Sequence, residues 1–164
     1  MSPAVAARRA GALLLPATLL WLGCQPAEVS QVQVLPDRRI IRLMQCQECF
    51  GGEAAAVVAM GDSAVLGLRE LVLHGAPAPF VTRLDSALRH PADSADHVPA
   101  NATIKLLLDD FDAIHRVRSS LALGLIGTDS ARHAICAGMA LQPPRRDVKL
   151  ALDSALAHAG GACQ

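Results

Sequence analysis

Two cysteines three residues apart, in Cys46-Gln47-Glu48-Cys49, are the pair in this sequence best suited to chemistry. Unpaired amides at a helix start acidify a thiol, and a neighbouring thiol can resolve a mixed disulfide, so C-x-x-C can run thiol-disulfide exchange. The surrounding residues point to a plainer role. No alternation of strands and helices encloses the pair, neither proline nor tryptophan lies in or beside it, and Phe50 stands where covalent haem attachment needs histidine. A structural zinc site wants a second close ligand pair, and none of the six histidines forms one with another at short spacing.

A second group lies in DDFDAIH, residues 109 to 115. Asp112 and His115 are three apart on one helical face with Asp109 a turn before, a spacing able to hold a divalent cation. The same residues also form a solvated acidic face balanced by Arg116 and Arg118. His74, His90 and His158 each fall near an expected helix end, where a donor or cation suits the exposed carbonyls. The chain carries no G-x-S-x-G, no H-E-x-x-H, no phosphate-binding G-x-x-x-x-G-K and no dinucleotide fingerprint. We therefore expect a binding or scaffolding protein rather than an enzyme, with no cofactor and no metal.

The N-terminus sets the compartment. Arg8 and Arg9 precede the apolar run AGALLLPATLLWLGC, the charged-then-apolar layout of an export signal. Its uninterrupted part, 10 to 22, is shorter than the roughly 20 residues a membrane-spanning helix needs. Leu20-Trp21-Leu22-Gly23-Cys24 resembles the lipobox of bacterial lipoproteins, in which the cysteine is lipidated and becomes the new N-terminus. That resemblance implies a signal peptide over 1–23, lipidation of Cys24, a tether over 24–36, and, from Gln25, sorting to the outer membrane facing the periplasm. Removing 1–23 takes Arg8 and Arg9 from the 15 basic residues, leaving 13 against 15 acidic ones. Such a balance offers no basic field to nucleic acid, and the membrane would be reached through the acyl chain. Cys46, Cys49, Cys136 and Cys163 then remain in an oxidising compartment. Three pairings are open; the closeness of residues three apart on a helix favours Cys46 with Cys49, and hence Cys136 with Cys163. Alternatively, Cys46 and Cys49 serve a periplasmic thiol-disulfide oxidoreductase.

The elements that position these residues are expected to be helices. Alanine and leucine dominate, while tyrosine is absent and phenylalanine numbers three. The chain also repeats itself. LDSAL occurs at 84 and 152, Asp62-Ser63-Ala64 recurs as Asp129-Ser130-Ala131, and Gly61 matches Gly127 in the same order. The first copy spans 37–90, a loop 91–101, and the second copy 102–159. Each predicts three helices. Leu43, Cys46, Phe50, Ala54 and Val57 form one stripe through a weak point at Gly51-Gly52; Val65, Leu68 and Val72 line the next helix; Leu84 and Leu88 the third. In the second copy Ile114, Val117, Leu121 and Leu125 form the first stripe, followed by helices over 131–141 and 147–159.

The twinned LDSAL is then the same core-facing helix in two stacked units. At VVAMGDSAVLGLREL and RSSLALGLIGTDSARHAI the chain resembles HEAT-type helical repeats, which join paired helices by a short turn after an L-G or I-G step. The resemblance covers 46–74 and 112–159 and implies a curved array that displays a surface to a protein partner. Arg69, Glu70 and Arg132 are the candidate contacts, and a homodimer is the expected way of covering the ends of so short an array.

Overall fold

A computed structural model describes residues 36–46, 48–91, 98–141 and 145–163. The expected signal peptide 1–23, the lipidation site Cys24 and the tether 24–36 lie outside them, Pro36 excepted. The fold is all-α: seven helices and no strand among the described residues. They are α1 Arg38–Gln45, α2 Phe50–Val58, α3 Asp62–His74, α4 Ala78–Arg89, α5 Asn101–Ile126, α6 Asp129–Met139 and α7 Arg146–His158.

Local signals place most of the boundaries. Asp37 opens α1 by accepting the Arg39 amide at 2.8 Å. Gly61 and Gly127, at φ 56° and 67°, turn the chain into α3 and α6, a backbone that only glycine adopts without strain. Thr128 caps α6 by accepting the Ala131 amide at 3.3 Å. Pro77 precedes α4 and Pro79 lies in its first turn, where a missing N–H does no harm.

The expected stripe from Leu43 to Val57 is two helices, and the break falls at 46–49 rather than at Gly51-Gly52. Cys46 leaves the helix with extended backbone at ψ 122°. The carbonyls of Leu43 and Met44, which a continuing helix would pair with amides four residues on, instead accept Arg118 Nη1 at 3.1 and 2.6 Å. A side chain from α5 thus substitutes for the next turn of α1.

α5 and α6 form a helical hairpin, and α3 packs on both of them. Thr128 donates to Asp62 at 2.5 Å, joining the starts of α6 and α3. Near their ends Gly138 lies directly against Val72, so α3 and α6 run parallel. The repeated glycine turns therefore meet in space as they correspond in sequence.

The core is built from Leu43, Val57, Leu68, Val72, Ile104, Leu123, Ile135 and Leu152. The 26-residue α5 runs through it and contacts each of the other six helices. That position overturns the expected α5 stripe: Ile114 and Leu125 are 45% and 46% exposed. The buried side carries Ala113, His115, Ser119, Ser120, Ala122, Leu123 and Gly124 instead. Close-packed neighbours on several sides leave room mainly for small side chains, so of the expected stripe only Val117 packs on the core while Ile114 and Leu125 face outward.

The twinned segments also differ. In α7, Leu152 and Ala155 are buried, whereas α4 buries no residue fully and holds Leu84 and Leu88 only half covered. Gly124 accounts for the closer seat of α7, since a Cβ there would lie 2.7 Å from the Ala155 Cα. Both helices pack on α5.

Candidate functional site

The C-x-x-C links α1 to α2. Cys46 is the C-cap of α1 and donates its amide to Arg42 O at 3.0 Å, while Cys49 is the N-cap of α2. Their Cα atoms are 5.6 Å apart, and the Cys49 amide donates to Cys46 Sγ at 2.8 Å. Cys46 is half-buried, off the core stripe in which it was expected, and Cys49 is exposed. Arg118 ties this loop to α5 through the carbonyls of Leu43 and Met44. At the other end of the chain Cys136 in α6 stands 5.5 Å, Cα to Cα, from Cys163. Of the three pairings open to four cysteines, the one that joins Cys46 to Cys49 and Cys136 to Cys163 places sulfurs where disulfides can form.

The residues of DDFDAIH do not converge. Lys105 Nζ donates to Asp109 at 2.5 Å, and Arg145 Nη1 to Asp110 at 2.7 Å. One oxygen of Asp112 accepts the Ala76 amide at 2.9 Å; the other accepts Arg116 Nε at 2.8 Å. Arg116 Nη1 also donates to the carbonyls of Val72 and Leu73, at 2.8 and 2.9 Å. Asp112 and Arg116 therefore clamp the end of α3, a role the helical spacing did not disclose because the partners lie some forty residues away. His115 turns inward, 2% exposed, and its Nδ1 donates to Phe111 O at 2.8 Å. Burial pushes its pKa below the ordinary 6.5, and Arg118 adds to that; the Phe111 carbonyl and the Asp112 charge oppose it. Among the described residues, no group of three or more His, Cys, Asp or Glu side chains is arranged to hold a metal ion.

His74 and His158 are the last residues of α3 and α7, and His90 is the C-cap of α4. Arg69 and Glu70 are exposed on α3 with their charges 3.8 Å apart. Arg132 is different: it is half-buried, packs along Gly161 and pairs with Asp129, so it is committed internally.

An exposed apolar row runs along α5. Leu107, Ile114 and Leu125 are exposed, and Leu121 between the last two is half-buried. Intervals of seven, seven and four residues keep all four on one helix face. Periodicity alone shows such a face but not whether core or solvent receives it.

No family model, no curated protein and no solved structure matches this chain.

Proposed function

We propose that this protein is an envelope-anchored lipoprotein, acylated at Cys24 and held at the periplasmic side of the outer membrane, that binds a protein partner through a HEAT-like helical surface. The observation that carries the proposal is the row Leu107, Ile114 and Leu125, each 39 to 46% exposed along the longest helix. Contiguous exposed apolar side chains commonly mark interaction sites, because burying them releases water from roughly 25 cal/mol of unfavourable contact per Å². The helices packed around α5 supply the rigid backing that display requires. The opposed cysteine pairs suit an oxidising compartment.

Site-specific photocrosslinking in cells tests this. A crosslinker at Leu107 or Ile114 is expected to trap one defined partner, or a second copy of the chain, while the same probe at exposed Ser154 traps none. Equal labelling at all three positions, or none anywhere, would retire the row as a binding face. Mass spectrometry of the membrane-extracted protein tests the anchor: an acylated Cys24 at the N-terminus is expected.

A second proposal rests on the exposure of Cys49 at the start of α2. Under it the C-x-x-C exchanges disulfides with a partner, and Cys49 is the sulfur open to attack. The two proposals separate cleanly. A structural bridge resists mild reduction and gives no insulin-reductase activity, whereas an exchange site reduces readily and gives activity lost in Cys49→Ser.

A further inference from the structure

A pocket of about 300 Å³ lies between the end of α1, α4 and α5, lined by Gln45, Phe80, Arg83, Leu84, Phe111 and His115. It shares no residue with the apolar row on α5 or with the cysteine pairs. The pocket falls at the low end of the range that holds small ligands, and its walls are mainly apolar with few polar groups, the usual make-up of such sites.

Its one deeply buried polar group is the imidazole of His115. A carbonyl can only accept, so the contact with Phe111 O places the proton on Nδ1 and leaves Nε2 with a bare lone pair. Nε2 has no protein partner among the described residues, yet none of their fully enclosed side-chain nitrogens or oxygens is left unpaired. His115 is among the residues that line the pocket. The Phe111 ring holds the imidazole edge-on with centroids 4.4 Å apart, so the acceptor has a defined direction. Arg83, exposed on α4, also lines the pocket, while the neighbouring Asp85 is engaged by Arg89 at 2.9 Å.

We infer that this pocket binds a small hydroxy acid with an apolar body, its hydroxyl donating to His115 Nε2 and its carboxylate facing Arg83. The apolar walls accept the body, a buried acceptor selects a donor over an isostere that lacks one, and an exposed guanidinium in the lining suits a carboxylate.

The test is an NMR titration of the folded mature chain with three probes: para-hydroxyphenylpropionate, phenylpropionate, which lacks the hydroxyl, and para-ethylphenol, which lacks the carboxylate. The first is expected to give saturable shifts confined to the lining residues, with affinity around the millimolar range for about twelve non-hydrogen atoms. The other two are expected to bind about 5- to 10-fold more weakly. In His115→Phe, which keeps a ring and removes the acceptor, the hydroxyl preference should vanish; in Arg83→Gln the carboxylate preference should vanish. Ala87, exposed on α4 at the pocket edge, offers a variant that leaves the core untouched, and Ala87→Trp should abolish all three titrations. Absence of saturable shifts in the wild-type chain would overturn the proposal. So would a hydroxyl preference that persists in folded His115→Phe, or, should that variant not fold, shifts that survive Ala87→Trp.

Discussion

Asp112 accepts from the Ala76 amide with one oxygen and from Arg116 with the other, and Arg116 passes the connection on to the last carbonyls of α3. Removing the carboxylate in Asp112→Ala leaves a guanidinium and an amide without their acceptor, and should lower stability by about 2 kcal/mol in urea unfolding. Gly75→Ala should lose at least as much. Its backbone sits at φ 74°, and a Cβ would run into the Asp112 carboxylate. Next to this clamp, His115 links stability to acid. Its folded pKa lies below 6.5, so the unfolded chain takes up the proton more readily, and stability present above that value falls as pH drops toward the folded pKa. Urea midpoints measured from pH 7 down to about 5 should decline, and His115→Gln should flatten that dependence. None of these roles is legible in DDFDAIHR itself, because helical spacing reports which residues share a face and not which distant carbonyl or amide reaches them.

At the scale of single helices, glycine has opposite consequences in different places. Gly52 lies in α2 with nothing within 4 Å of the place an added methyl would take, so Gly52→Ala should stabilise the protein by about 0.5 to 1 kcal/mol through helix propensity alone. Gly124 has the backbone of Ala155 where a methyl would go, and Gly124→Ala should destabilise by about 1 to 3 kcal/mol, as overpacking does. Thermal unfolding of the two variants side by side checks the pair. The sequence shows two glycines in helical stretches in either case. It does not show that α7 presses on one of them, since that contact joins residues about thirty positions apart. The same limit explains the stripe at Ile114, Leu121 and Leu125, where the period was right and the direction inverted.

For the molecule as a whole, the two cysteine pairs differ in leverage. A bridge between Cys136 and Cys163 spans 27 residues, and closing a loop of that length restricts the unfolded chain by about 3 kcal/mol, so Cys163→Ser should lower stability by roughly that amount. A bridge between Cys46 and Cys49 spans three, restricts little, and its loss should scarcely move the midpoint. Chemical denaturation with and without reductant checks both, and equal effects from the two pairs would contradict the loop-length account.

Composition, glycine turns, caps and prolines act over a few residues, and they were sufficient to determine an all-α chain with helix stops at Gly75 and His90, and to bring the start expected at 131 within two residues of the observed Asp129. The matched turns at Gly61 and Gly127 lie close in space, joined by the hydrogen bond from Thr128 to Asp62. What only the tertiary structure decided was which face of each helix is inside, where α1 ends, and which of two LDSAL helices is core. All three depend on α5, which lies against every other helix: it supplies Arg118 to stop α1 and Gly124 to admit α7, and it turns Ile104 and Leu123 inward while Ile114 and Leu125 face outward. Hydrophobic burial is a property of how much neighbouring surface surrounds a residue, and that quantity exists only once distant segments have packed.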